Sequence, residues 1–264
     1  MNRGFGIPAT ADESRARTVA AEAERLGYSS IWTNDTPKAD GILTAARMAE
    51  ATHALRVGVG VVPIDRRPPV EIATEIERLG VPLDRLVLGV GSGRSPKPIA
   101  AVRDAVYELR ELVGPDLCVG ISAMGPQMCR LAGRIADFVL FNWMVPERIA
   151  WAGEQVSRGG ADDASTPVPQ KLAYIRVATG PSPEQQLHKE AAKYDSVPAY
   201  HRHFQAMGVP LEEVGVATGA ANVHAELAAY DRVLDEGVVR ALPASDSVES
   251  TLAAAQASAP VSAA

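Results

Sequence analysis

At 264 residues the chain can hold two average domains or one α/β barrel, since such barrels run to about 250 residues as a single unit. Its composition, 47% hydrophobic and 22% charged with 3 Trp, 6 Tyr and 4 Phe, is that of a globular protein with a largely aliphatic core. A formal net charge of -6 without any basic run argues against a nucleic-acid partner. The opening "MNRGFGIPATADESRAR" has no apolar stretch of signal-peptide length, and no segment reaches the roughly 20 apolar residues of a membrane span. The expectation is a cytoplasmic protein with no membrane partner.

Apolar β-type runs alternate with helical patterns from the start. "RGFGIPA" precedes "DESRARTVAAEAERLG", a helix that Asp12 or Ser14 can cap and Gly27 can end. "YSSIWT", helical "GILTAARMAEAT", "LRVGVGVVP" and helical "PVEIATEIERLG" follow, the last opening on proline. "RLVLGVGSGR" and the helix "PIAAVRDAVYELREL" come next, then "DLCVGIS", "GPQMCRLAGRI", "ADFVLFNW" and "PERIAWAGEQV". Continuous apolar strands such as "DFVLF" suit a parallel sheet buried on both faces.

An open doubly wound sheet and a closed (β/α)₈ barrel both satisfy this alternation. A loop, "SRGGADDASTPVP", leads to "QKLAYIRVATG" as a seventh strand. Helical segments run from Pro183 to about Leu234, "EGVVRAL" makes an eighth strand, and "DSVESTLAAAQAS" a final helix. Eight strands with one helical elaboration between the seventh and eighth favour a TIM barrel: one domain over residues 1–258 and a frayed tail at 259–264.

Three glycine loops draw attention. Gly89, Gly91 and Gly93 follow a strand and precede a helix, but G-x-G-x-G is neither the dinucleotide fingerprint nor a P-loop. A tight turn, or backbone passing close to a ligand, remains. Gly58 and Gly60 interrupt an apolar strand ahead of Arg66 and Arg67, which suggests a bulge or close backbone approach. Gly125 and Pro126 open a helix whose first-turn N–H groups, at Gln127 and Met128, could face an anion. Cys118 and Cys129 follow no metal or redox spacing and read as buried thiols.

These segments together resemble the bacterial luciferase-like superfamily of flavin- and coenzyme F420-dependent oxidoreductases. "LGYSSIWTND", "LRVGVGVVPIDRRPPVEIATEIERL" and "LDRLVLGVGSGR" are similar to its second, third and fourth strands, and "ISAMGPQMCRLAGRIADFVLFNWMVPE" to its phosphate-loop region. The resemblance covers residues 1–150 and "YDRVLDEGVVRAL", and is weak between Ser157 and Val223. It implies a cofactor at the C-terminal strand ends, F420 in first place and FMN second, acting on a small organic substrate by hydride transfer or monooxygenation in a homodimer.

Residue by residue, the resemblance implies that Asp35 lies near the cofactor ring and takes part in catalysis. Gly60 and Val61 correspond to a bulge, often a non-prolyl cis peptide, behind the ring. Gly91, Ser92 and Gly93 correspond to the fourth strand's end, Met124, Gly125 and Pro126 to the stretch around the phosphate, and Asn142 and Trp143 to the mouth. Replacing Gly60 by alanine is expected to weaken cofactor binding more than folding. Thr36 stands where F420-dependent members often carry histidine, and the segment between Ser95 and Leu117 lacks the family's long insertion.

Of five histidines, His53, His188 and His224 read as surface or structural, whereas His201 or His203 in "AYHRHF" could supply proton transfer if that helix covers the mouth. No third ligand accompanies this pair, so no metal is expected. Two rival readings stay open: a member of the superfamily without efficient turnover, and a phosphate-binding barrel lyase, for which Lys171 is the one lysine near a strand.

Overall fold

The computed structural model describes residues 2–161, 167–243 and 245–261. Parallel strands β1 (Asn2–Gly6), β2 (Ser30–Thr33), β3 (Arg56–Pro63), β4 (Leu86–Gly91), β5 (Cys118–Ser122), β6 (Phe138–Asn142) and β7 (Gln170–Ala178) follow one another round a ring. β9 (Glu236–Leu242) pairs with both β7 and β1 and closes it. The sheet is therefore the expected TIM barrel, with the expected eighth strand as its last stave. β8 (Val216–Ala217) is an addition: it pairs with Val177 and Ala178 inside the segment read as wholly helical. Two residues between Gly215 and Gly219 are too short to show a period of their own.

Outside lie α1 (Glu13–Arg25), α2 (Gly41–Glu50), α3 (Pro69–Leu79), α4 (Pro98–Val113), α5 (Pro126–Ile135) and α6 (Pro146–Gly160). They are followed by α7 (Pro183–Asp195), α8 (Pro198–Met207), α9 (Val223–Asp231) and α10 (Val248–Ala257). Asp12 caps α1 by accepting from the Arg15 N–H, and Gly27 turns the chain out of it at φ 80°. The helices α3 to α8 each open on proline, whose missing N–H is one that a first turn leaves unbonded and whose φ is already helical.

The loop expected from Ser157 begins later, because α6 continues through Gly160. There α5 and α6 touch backbone to backbone: a Cβ on Gly159 would lie 2.1 Å from the Arg130 carbonyl, and one on Gly133 2.0 Å from that of Val156. Residues 162–166 of that loop, and 262–264 of the tail, lie outside the described residues.

A large aliphatic core fills the space between barrel and helices. A second, aromatic one fills the lumen, where Trp32 meets Phe138 and Tyr174 edge-on at 5.9 and 6.0 Å. Glycines on neighbouring strands make room for it. A Cβ on Gly58 would sit 2.2 Å from the Trp32 ring, one on Gly120 2.4 Å from Phe138, and one on Gly60 2.2 Å from the Tyr174 hydroxyl.

This corrects the expectation for Gly60: its missing side chain serves the lumen, so alanine there disturbs folding as well as any ligand. Gly58→Ala is expected to destabilise the protein by about 1–3 kcal/mol through overpacking. Gly125→Ala, where a Cβ meets nothing within 4 Å, should stay within about 0.5 kcal/mol of the parent. Urea unfolding of both variants checks the contrast.

Candidate active site at the mouth of the barrel

The C-terminal strand ends carry the irregular backbone. The β3–β4 register slips between Val59 and Val62, and the Gly60–Val61 bond within the slip is cis. Asn34 donates its amide to the Gly60 carbonyl. Val61 lies half-buried across β4, where a Cβ on Gly89 or Gly91 would approach its methyls to 3.0 and 2.9 Å. The glycine run after the fourth strand thus has a packing origin: it accommodates Val61. Ser92 is half-buried, and Gly93, at φ 56°, turns under Asp65, which accepts the Arg94 N–H at 2.9 Å. Beyond β5, Met124 packs on the outer core, exposed Pro126 starts α5, and Gly125 caps it with no side-chain hydrogen bond.

Asp35 follows Asn34 in the loop after β2. Its buried carboxylate accepts from the Gly41 N–H at 3.0 Å and from Arg67 at 2.9 Å, with Arg66 on its other oxygen. Arg67 also bridges to Asp40 at 2.9 Å. Burial alone would raise the Asp40 carboxyl, but Arg67 and the α2 N–H groups outweigh it and hold it below its usual range. Arg66 and Arg67 are therefore engaged in clamping the loop after β2. The clamp lines a depression of about 350 Å³ together with Thr36, whose carbonyl accepts from Arg66.

A second group gathers under α7 and α8. Asn142 donates to the Tyr200 hydroxyl at 2.9 Å and accepts from Arg176. Trp143 is 1% exposed and sits at φ 56°. Tyr194 and Phe204 lie against its ring at 5.1 and 5.9 Å, and the Arg176 guanidinium over it at 4.4 Å. The two candidate histidines part here. Tyr200, His203, Phe204 and Met207 follow the i, i+3, i+4, i+7 spacing of one helix face, and His203 is buried with Nε2–H donating to the Trp143 carbonyl at 2.8 Å. His201 falls on the opposite face, exposed and 3.0 Å from Asp195. It does not reach the mouth.

Burial pushes both thiols up to about 11, although Cys118 is only partly buried. His53, read as structural, has an exposed ring; its backbone N–H is held by Glu24. Lys171 starts β7 at the floor of the barrel, opposite the mouth, which leaves the lyase reading without its lysine. Among the described residues no group of three or more His, Cys, Asp or Glu is placed to hold a metal, and no helix is long and apolar enough to cross a membrane.

Sequence reasoning missed the charged pair at the mouth. Arg176 and Arg240 are register partners on β7 and β9, and both border a cavity of about 490 Å³ formed by the ends of β1, β7 and β9 and by α7. The signal was available in "YIRVA" and "VVRAL", each an arginine inside an apolar strand.

The fold is an eight-strand parallel barrel with an interrupted third strand. Residues 3–114 match the family described as luciferase-like monooxygenase, so the chain is luciferase-like in fold and, over that segment, in sequence. The 5,10-methylenetetrahydromethanopterin reductase of Methanolobus tindarius is 23% identical over 235 residues, spanning 75% of this chain and 70% of that protein. The coenzyme F420-dependent tetrahydromethanopterin reductase of Methanopyrus kandleri superposes with TM-score 0.74 at 16% identity, covering 97% of both chains. The oxygenating constituent of 3,6-diketocamphane monooxygenase from Pseudomonas putida, in complex with FMN, gives 0.68 at 14% identity over 98% of both.

Burial holds the proton affinity of His203 below its ordinary value of 6.5, against the pull of its Trp143 hydrogen bond. The unfolded chain therefore takes up this proton first as pH falls, and stability drops from about pH 6.5 downward until the folded imidazole also charges. His203→Gln, which keeps a donor for the Trp143 carbonyl, should show a shallower loss between pH 7.5 and 5.5 in urea unfolding. An unchanged slope would assign the loss to other groups.

Proposed function

We propose that the protein is an oxidoreductase using F420, or in second place FMN, on a small organic substrate at the barrel mouth. The observation that carries this reading is the interrupted third strand at the C-terminal mouth, where the β3–β4 register slips between Val59 and Val62, in a chain whose residues 3–114 match the luciferase-like monooxygenases. The separate cavity of about 490 Å³ at the ends of β1, β7 and β9 leaves room for the small substrate.

The residues present fit such a cofactor. Val61 offers a half-buried apolar surface beside Gly91, suited to one face of a planar ring, with Ser92 and Gly93 at its edge. Open space at Gly125 lets a phosphate approach the first-turn N–H groups of α5, flanked by Met124 and Pro126. Bound there, the cofactor would supply hydride transfer or oxygen activation. Trp143 and Asn142, covered by α7 and α8, keep water from that side of the mouth. His203 holds the Trp143 carbonyl and acts as a positioning residue. Asp35, with both oxygens taken by arginines, shapes the loop over β2. The coenzyme F420-dependent reductase that superposes on the chain, and the nearness of "GPQMCRLAGRIADFVLFN" to F420-dependent members, support F420 as first choice.

Separate titrations with FMN and F420, followed by tryptophan quenching, test the reading, and saturable binding of at least one is expected. Gly125→Trp should weaken that binding at least tenfold with the unfolding temperature unchanged. Equal affinity would remove the α5 turn from the site, and binding of neither cofactor would overturn the reading.

A homodimer belongs to the same proposal. The consecutive helices α2, α3 and α4 expose Leu43, Val70, Tyr107 and Leu112, the last three by 49–54%, and Val70 and Leu112 line one depression between α3 and α4, where the dimer contact is placed. Light scattering at micromolar concentration should return twice the 27.8 kDa chain mass; a single-chain mass would count against it.

A further inference from the structure

Arg176 and Arg240 stand side by side in register on neighbouring strands, so both side chains enter the barrel on the same face. Like charges placed this way repel, and charges taken from water need partners. Among the described residues neither guanidinium meets a carboxylate. Arg176 donates to the Asn142 side-chain oxygen and, at 3.2 Å, to the Tyr194 hydroxyl; Arg240 donates to the Ile7 carbonyl. Tyr174 lies beneath both, 5.9 and 5.3 Å from the guanidinium carbons, and burial pushes its phenol up, so it faces them as a neutral ring. Burial also lowers the proton affinity of Arg240, and Arg176 adds to the effect.

The cavity that these two arginines border carries the same excess. Arg15, Lys189 and Lys193 join them as basic lining, against Glu190 and Asp246. Both acids are already paired within that lining, Glu190 with Lys193 at 2.6 Å and Asp246 with Arg15, which leaves Arg176 and Arg240 unanswered. In a chain of net charge -6, the mouth is locally cationic. Gly6 contributes to the arrangement, since a Cβ there would lie 2.4 Å from the Arg240 side chain.

We propose that Arg176 and Arg240 form the seat of a compact oxyanion, a carboxylate, phosphate or sulfonate group of the small molecule that enters the mouth. Two guanidinium forks over one cavity suit bidentate binding of such groups. As an assignment of substrate class this rests on the oxidoreductase reading; as an anion site it does not.

The probe is inorganic phosphate, titrated against sodium chloride at matched ionic strength, with unfolding temperature and tryptophan emission as readouts, Trp143 lying under Arg176. Saturable stabilisation beyond chloride is expected in the parent protein. Arg240→Met, which keeps the aliphatic stem beside Gly6, should bind phosphate at least tenfold more weakly and, without phosphate, unfold no lower than the parent, because a repulsion has been relieved. Should that variant not fold, Arg240→Lys serves: it keeps the charge, loses the fork and is expected to bind phosphate several-fold more weakly. No phosphate effect beyond chloride, or parent-like phosphate binding in either variant, overturns the proposal. Titrations of FMN and riboflavin under saturating phosphate then identify the source. Competition with FMN alone assigns the seat to a cofactor phosphate, whereas both flavins binding alongside phosphate assign it to the substrate. Phosphate binding without binding of FMN or F420 leaves the seat standing and removes the oxidoreductase reading.

Discussion

Large side chains on some strands press onto glycines of others, and the mouth of this barrel depends on that fit. Trp32 from β2 fills the space beside Gly58, Phe138 from β6 that beside Gly120, and Tyr174 from β7 reaches across to Gly60. Barrel interiors are packed in layers contributed by alternate strands, and here the layers mix the largest residues with the smallest. The fit fixes the height at which Tyr174 ends, and with it the platform on which Arg176 and Arg240 rest. It also obliges Gly60 to lie where the β3 backbone departs from regular pairing, so that Val61 turns onto β4.

The floor and the mouth of the lumen handle charge differently. At the floor, Glu236 is fully buried but answered by Arg56 and Ser30, with Trp32 donating to Ser30 at 2.6 Å. Four residues further along β9 comes Arg240, inward-facing on the same strand, with a carbonyl and an aromatic ring for company. A buried charge whose partners are supplied within the chain contributes to the fold, whereas a half-buried one such as Arg240, left without them, favours whatever small molecule completes it.

Much of this was legible in the sequence. The alternation of continuous apolar strands with proline-opened helices pointed to a parallel α/β sheet, and the eighth strand "EGVVRAL" after a helical stretch favoured the barrel over an open doubly wound sheet. Position-specific meaning was harder to read. Glycines 58, 60, 89 and 91 announce that something passes close by, but the sequence does not say whether it is a ligand or a neighbouring side chain; here Trp32, Tyr174 and Val61 account for them. The two histidines of "AYHRHF" look equivalent until the buried face of α8 separates them. The arginine pair escaped notice because its two members are 64 positions apart, and only the β7–β9 register makes them neighbours.

That register has a bearing on how the molecule is made. Asn2 pairs with Glu236, and Tyr28 is latched to α10 through the Ala255 carbonyl at 2.7 Å and the Ser258 hydroxyl. The first strand, paired early with β2 on one edge, thus finds its partner on the other edge, and Tyr28 its latch, only after more than two hundred further residues have been synthesised. Until β9 leaves the ribosome, β1 has an open edge and the aromatic lumen has no far wall. Nascent chains of this kind hold apolar surface and unpaired backbone exposed for tens of seconds at usual synthesis rates, which makes the unfinished barrel, rather than the finished one, a natural client for a chaperone.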